Sequence, residues 1–71
     1  MKTIKQLREE RGWTQLDLAY KLRVQPMTVS TWERARADPS AVKLRDLARV
    51  FDVAMGDIIL PSEQQQGERA A

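Results

Sequence analysis

Apolar residues recur at helical spacing along most of this 71-residue chain, and the pattern predicts an all-α fold. The helices are expected over about residues 3–11, 15–22, 26–34, 41–51 and, more briefly, 55–60. The inward positions that this spacing predicts are Ile4, Leu7, Leu18, Ala19, Leu22, Val29, Trp32, Val42, Leu44, Leu47, Ala48 and Phe51. Residues 61–71 are polar and aperiodic, so the sequence predicts one folded domain over 1–60, stopped by Pro61, and a disordered tail.

Residues 14–34 predict two short helices joined by a tight turn. Thr14 can cap the first of them, with Asp17 at the third helical position of a capping box. Only residues 22–25 connect the two apolar patterns, and they suffice for no more than a turn. Pro26 cannot lie inside a helix, but it suits the first helical position, where its missing N–H would have no partner. The sequence therefore predicts a helix-turn-helix.

The second of these helices would bury Val29 and Trp32 on one side. The opposite side carries mid-sized side chains followed by an arginine, namely Pro26, Met27, Ser30, Thr31 and Arg34. A helix that begins at a tight turn with such side chains at its N-terminal end can enter a DNA major groove and meet base edges. On spacing alone, an ordinary solvent-facing surface accounts for the same residues equally well.

The composition argues against several classes of function. The chain has no histidine and no cysteine, so the common zinc sites and nucleophile–histidine arrangements are absent. Its three glycines form no phosphate-binding loop. We therefore expect no enzyme activity, no cofactor and no metal. A net charge of +2, from 12 basic and 10 acidic residues, favours a nucleic-acid partner only weakly.

Length and hydropathy indicate how many domains the chain has and where in the cell it acts. Seventy-one residues make one small domain without room for a second that senses an effector, so no small-molecule effector is expected. The opening residues, MKTIKQLREERG, lack the apolar core of a signal peptide, and no apolar run approaches membrane-spanning length. These features predict a cytoplasmic protein with no membrane contact.

Four spaced elements over about residues 3–60 resemble the Cro/phage-repressor (XRE) family. They are L-R-x-x-R-G-W-T-Q-x-x-L-A from Leu7, V-x-P-x-T-V-S-T-W-E-R from Val24, D-P-S from Asp38 and L-x-x-L-A from Leu44. The resemblance implies a compact five-helix bundle with a helix-turn-helix, a lambda-repressor-like DNA-binding domain. It also implies a transcriptional regulator that binds double-stranded DNA sequence-specifically. A homodimer on a two-fold operator is expected, because one such small module reads few base pairs. The alternative is a protein-binding module of the same fold, such as an antitoxin or a coactivator piece.

The resemblance also assigns roles to residues. It implies base reading by the helix over about 26–34, through Pro26, Met27, Ser30 and Thr31. It implies phosphate contacts by Thr14, Gln15, Gln25, Thr28, Arg34 and Arg36. It further implies that Arg8 pairs with Glu33. The residues support this pair, because Glu33 follows Trp32, which is expected to be buried, and a buried charge left alone is costly. Two exposed charges that never meet are the alternative.

Three turns depart from the family pattern, in which glycine is usual where this chain has Arg23, Ala35 and Asp52. Glycine suits a positive φ, so either these turns differ or the domain carries strained residues, at about 1 kcal/mol for Ala or Arg. In the loop before the helix over 41–51, Asp38 or Ser40 is expected to act as the cap, with proline 39 in the first turn.

Two apolar side chains, Leu16 and Tyr20, fall where the family tends to be polar. We expect them to cover the first helix, and a surface for a partner is the alternative. The surface that would join two copies of the chain is not deducible from the pattern. The candidates are the loop before the helix over 41–51 and the helix over 55–60, with Met55, Ile58 and Ile59 as apolar contacts.

Overall fold

Four α-helices and one pair of two-residue strands build the fold of the computed structural model, which describes residues 1–64. The elements are β1 (Lys2–Thr3), α1 (Ile4–Glu10), α2 (Gln15–Leu22), α3 (Pro26–Glu33), α4 (Ala41–Phe51), a 3₁₀ helix (Met55–Asp57) and β2 (Ile58–Ile59), and residues 61–64 are helical. The all-α fold class with a helix-turn-helix, formed by α2 and α3, is confirmed. Within residues 1–64, none of the helices combines the length and the apolarity needed to span a bilayer.

Local signals begin the first three helices as the sequence predicts. Thr3 and Thr14 cap α1 and α2, and each completes a capping box, with Gln6 and Asp17 respectively. In each box the threonine hydroxyl accepts from the backbone N–H three residues on, and the returning side chain accepts from the threonine N–H. α3 begins at Pro26 without a side-chain cap, because the missing N–H leaves one fewer donor to satisfy.

The apolar faces of the four helices meet in one core, to which the strand residue Ile58 also contributes. Its buried members are Ile4, Leu7, Leu18, Ala19, Leu22, Val29, Trp32, Leu47, Ala48, Phe51 and Ile58. Leu44 packs against this core half-buried, as expected. The expectation for Val42 was wrong, since its side chain is 56% exposed. Successive helical residues rotate by about 100°, so Val42 lies about 200° from Leu44, on the solvent side of α4.

The predicted fifth helix over 55–60 is only partly helical. After the 3₁₀ helix the backbone becomes extended, and β2 pairs in parallel with β1, Ile58 opposite Lys2 and Ile59 opposite Thr3. Two consecutive β-branched residues favour this extended conformation. Ile58 is 2% exposed, so it was wrongly counted as a candidate dimer contact; Met55 remains 41% exposed.

The prediction that Pro61 ends a helix was wrong, because Pro61 begins one. Residues 61–64 are helical, and the Pro61 side chain is fully buried. The Glu63 carboxylate accepts a hydrogen bond from the Leu60 N–H at 3.0 Å, which caps this turn. A proline at the first helical position is compatible with a helix start, so the local signal fits both outcomes. Residues 61–64 therefore extend the folded part beyond the predicted boundary, and the rest of the predicted tail, 65–71, lies outside the described residues.

The loop between α3 and α4 is capped by one of its two predicted candidates. Ser40 is the N-cap of α4, and its hydroxyl accepts from the Lys43 N–H at 3.2 Å. Asp38 does not cap the helix, and Pro39 lies before the cap, not within the first turn. Pro39 is buried, which fixes the path of the chain into α4.

Three turns adopt the left-handed conformation that glycine usually supplies. The φ angles of Arg23, Ala35 and Asp52 are 59°, 59° and 58°, and Gly12 after α1 has a φ of 71°. Of the two expectations for the departures from the family pattern, the second is confirmed: the turns are kept and the domain carries the strain. Left-handed backbone costs a residue with a Cβ roughly 1–2 kcal/mol, less for Asp, whose short polar side chain tolerates it.

Candidate nucleic-acid interface

α2 and α3 pack closely because their facing residues are small or apolar. Leu18 and Ala19 of α2 are essentially inaccessible, as is Val29 of α3. The chain reverses between the helices at left-handed Arg23, and the Val24 N–H bonds back to the Ala19 carbonyl at 3.0 Å. This tight connection leads directly into Pro26 and Met27, the exposed first residues of α3.

The exposed side of α3 is free of charged and amide groups until the helix ends. Pro26 and Met27 are exposed, Met27 by 65%, while Ser30 and Thr31 are half-buried. The Thr31 hydroxyl donates to the Met27 carbonyl at 2.8 Å. Its proton is therefore occupied within the helix, and the oxygen offers acceptor lone pairs to an external group. The surface predicted to read bases thus combines apolar atoms with hydroxyl acceptors.

A nearly buried ion pair joins α1 to α3. Arg8 donates from Nε to Glu33 Oε2 at 2.7 Å and from Nη2 to Oε1 at 3.0 Å, with side chains 11% and 4% exposed. Arg8 Nη1 also donates to the Trp13 carbonyl at 2.7 Å. The hydrogen bond to Glu33 raises the pKa of Arg8 and outweighs the opposite effect of burial. The structure therefore brings together the two residues of the predicted pair.

The same carboxylate holds Gln15 at the start of α2. Gln15 Nε2 donates to Glu33 Oε1 at 3.0 Å, which leaves the second amide proton for an external acceptor. Next to it, the Thr14 hydroxyl accepts from the Asp17 N–H at 3.0 Å. The first backbone N–H groups of α2 have no intrahelical acceptor. These donors can converge on an anion at the helix N-terminus.

The capping box is held in its ionised form. The hydrogen bond from the Thr14 N–H to the carboxylate lowers the pKa of Asp17, the Thr14 hydroxyl lowers it further, and burial opposes the shift slightly. Asp17 thereby stays negative beside the candidate anion position. Its charge is offset by the positive end of the helix dipole, which favours a carboxylate in the first turn.

The remaining predicted phosphate contacts surround α3. Gln25 precedes it, is exposed and makes no capping bond, and Thr28 is half-buried in the first turn. Arg34 and Arg36 are exposed where α3 gives way to the next loop. Between residues 1 and 64, neither of these arginines forms an ion pair. Both guanidinium groups are available to a phosphate.

Sequence reasoning missed the contacts of Arg11. Its guanidinium donates to the Leu7 carbonyl at 2.9 Å and to the Phe51 carbonyl, which ties α1 to the end of α4. It also lies 5.2 Å from the ring centroid of Phe51, and the Trp13 ring stacks on Phe51 at 5.8 Å. The sequence signal was a cation just after the helix, where the last carbonyls lack partners. Arg11 supports the scaffold behind the interface.

The expectation that Leu16 and Tyr20 cover the first helix was wrong. Leu16 is 64% and Tyr20 85% exposed. Both lie about 200° around α2 from buried Leu18, so the face that packs into the core excludes them. With Trp13 and two charged neighbours they line an open cavity of about 570 Å³; these neighbours are Asp17 and Lys21.

A capped helix, a tight turn and a second helix with an exposed N-terminal end define a helix-turn-helix DNA-binding domain. A family model described as helix-turn-helix, of the Cro/C1 type, matches residues 4–58, and the chain belongs to this XRE family. No curated protein and no solved structure gives a significant match. The family is one of regulatory domains that bind double-stranded DNA.

Proposed function

We propose that this protein is a sequence-specific transcriptional regulator that places α3 in the major groove of double-stranded DNA. The observation that carries the proposal is the exposed start of α3, together with hydrogen-bond donors at its other end. Gln15 of α2 bonds to Glu33, the last residue of α3, and the exposed Arg34 and Arg36 follow it in the chain. Phosphate contacts of this kind fix the register of a domain on DNA, and the exposed residues of α3 read bases.

Base reading falls to α3 and rests mainly on apolar contact. Pro26 has no side-chain donor, and the Met27 thioether is at best a weak acceptor. The distinctive apolar group of the major groove is the thymine methyl. The Thr31 oxygen, whose proton is bonded to Met27, can accept from the amino group of adenine or cytosine. We therefore expect a thymine against Pro26 or Met27 in each half-site, with Ser30 and Thr31 reading neighbouring bases.

Selection of bound sequences from random DNA, followed by a thymine-to-uracil scan of the selected site, tests this reading. Removing a methyl that packs against Met27 should cost about 0.5–1 kcal/mol of binding free energy, from the value of a buried methyl. The same uracil should cost nothing in the Met27→Ala variant, which has lost the contact. A scan in which no uracil matters would refute methyl reading and leave polar contacts or DNA shape as the source of specificity.

The phosphate contacts are proposed for Thr14, Gln15, Gln25, Thr28, Arg34 and Arg36. Replacing Arg36 by Ala should weaken binding to specific and unrelated DNA by similar factors. It should also reduce the slope of log K against log salt by about 1. Arg45→Ala is the matched control, because Arg45 is an arginine on α4, its side chain 60% exposed, outside the proposed interface. If Arg36→Ala weakens only the specific site, its assignment as a phosphate contact is wrong.

A homodimer on a two-fold operator is part of the proposal. One module of this size reads few base pairs, and two-fold sites whose halves lie one helical turn apart are the usual solution. Sedimentation of the protein with the selected site should give two chains per duplex, and the selected site should contain an inverted repeat. A single half-site bound by one chain would refute this part alone.

The exposed pair Leu16 and Tyr20 favours a second candidate, a protein-binding module of the same fold. Large apolar side chains that are 64% and 85% exposed side by side are typical of contact surfaces. Retention on heparin or on immobilised DNA separates the candidates. A DNA-binding protein is retained to moderate salt, whereas a module that binds only protein elutes at low salt.

A further inference from the structure

A bidentate contact joins the end of the described chain to the loop before α4. The Ser62 N–H donates to Asp38 Oδ1 at 2.9 Å, and the Ser62 hydroxyl donates to Asp38 Oδ2 at 2.8 Å. Both carboxylate oxygens are therefore engaged by one residue that is 24 positions away. We call this pair of hydrogen bonds the Asp38–Ser62 clasp.

The clasp is held from both sides by buried prolines. Pro39 follows Asp38 and is buried, and Pro61 precedes Ser62 and is fully buried. The ring of proline locks φ, so each partner is attached to a fixed point of the domain. The helical turn of residues 61–64 points the Ser62 N–H and hydroxyl in the direction that the carboxylate requires.

The loop that carries Asp38 also carries the proposed phosphate contacts Arg34 and Arg36. A carboxylate two positions from one arginine and four from another is a natural partner for either. Within the described part of the chain, however, Asp38 forms no ion pair with them. Both of its carboxylate oxygens accept hydrogen bonds from Ser62 instead.

We propose that Ser62 is a positioning residue for DNA binding, which acts by holding the Asp38 carboxylate away from Arg34 and Arg36. The guanidinium groups then remain available to DNA phosphates, although Ser62 contacts no DNA. Without the clasp, Asp38 competes with phosphate for the same arginines. This inference rests on the proposed function, in which the two arginines contact the DNA backbone.

Four variants test the inference: Ser62→Ala, Ser62→Thr, Asp38→Asn and the double variant of Asp38→Asn with Ser62→Ala. Affinity for specific and unrelated duplexes is measured over a range of salt, and melting temperature is measured in parallel. Ser62→Ala should weaken both affinities about three- to ten-fold, the effect of one hydrogen bond. It should also lower the salt slope, because Asp38 then neutralises part of the arginine charge. Ser62→Thr keeps the hydroxyl and should restore both.

The Asp38→Asn background supplies the decisive comparison. An amide has no charge with which to compete for the arginines, so adding Ser62→Ala to Asp38→Asn should leave affinity and salt slope unchanged. An equal loss in both backgrounds would overturn the inference, as would a Ser62→Ala variant that melts lower but binds DNA normally. If Arg36→Ala changes the salt slope and Ser62→Ala does not, only this inference fails. If Arg36→Ala changes nothing, the proposed phosphate contact fails with it.

Discussion

Removal of the Glu33 carboxylate is the most informative single perturbation of this fold. Glu33 accepts two hydrogen bonds from Arg8 and one from Gln15, and its side chain is only 4% exposed. Glu33→Ala leaves those three donors without an acceptor and leaves the Arg8 charge nearly buried without a counterion. Breaking a buried pair on one side typically costs about 3–5 kcal/mol.

The structure places the expected cost near the lower end of that range. Arg8 keeps its hydrogen bond to the Trp13 carbonyl, and its side chain, 11% exposed, retains some access to water. We therefore expect a loss of about 3 kcal/mol. A domain of this length has a total stability of roughly 4–11 kcal/mol, from the usual value per residue. The melting temperature should accordingly fall by roughly 12–24 °C.

Urea unfolding followed by far-ultraviolet circular dichroism measures the effect, with the midpoint and slope fitted together. Glu10→Ala is the matched control, because Glu10 is a glutamate whose side chain is 44% exposed, and it should cost under about 0.5 kcal/mol. The double variant of Arg8→Met with Glu33→Leu removes both charges and should recover most of the loss. A Glu33→Ala variant that loses less than about 1 kcal/mol, or no more than the control, would refute the argument from burial.

Three further predictions concern stability. Ala35→Gly should stabilise the domain by about 0.5–1 kcal/mol in urea unfolding, because glycine removes the left-handed strain, although its greater freedom in the unfolded chain offsets part of the gain. Asp52→Gly should gain less, because Asp tolerates this conformation better than Ala does, and equal gains would contradict this order. The lowered pKa of Asp17 means that its capping box stabilises the fold above the ordinary carboxyl pKa of 3.8 and stops doing so as pH falls through the lower folded value. Asp17→Asn should therefore flatten the fall in melting temperature below about pH 4. Removal of residues 65–71 should leave the melting temperature unchanged, whereas removal from Pro61 onward should lower it, because a buried side chain is lost.

Helix starts were predictable because their signals are local. The capping boxes of Thr3 and Thr14 need only residues three positions apart, and Pro26 constrains its own backbone. For the turns at Arg23, Ala35 and Asp52, the sequence left two outcomes open, a different turn or a strained left-handed residue. Short-range geometry of this kind is written into neighbouring residues and needs no knowledge of the tertiary fold.

The predictions that failed concern residues whose environment is decided by segments distant in sequence. Leu16 and Tyr20 share a helix side, but only the packing of α2 decides whether that side meets the core or water. The two isoleucines of β2 pair with β1, which lies more than fifty residues earlier. Neighbouring residues could not show whether Asp38 or Ser40 caps α4, because the Asp38 carboxylate accepts its hydrogen bonds from Ser62, which lies 24 residues later.

Within the candidate site, the location of a residue on its helix was easier to predict than the hydrogen bonds that link it to other residues. The sequence placed Gln15 at the start of α2, but not the hydrogen bond that makes it share Glu33 with Arg8. That bond has a consequence for every experiment on the interface. A change at Glu33 releases Gln15 as well as α1, so it should lower both stability and DNA affinity. Arg36 has no such partner in the described chain, and its replacement should lower affinity alone. The contrast between these two residues therefore separates the part of binding that depends on the scaffold from the part that depends on direct contact with DNA.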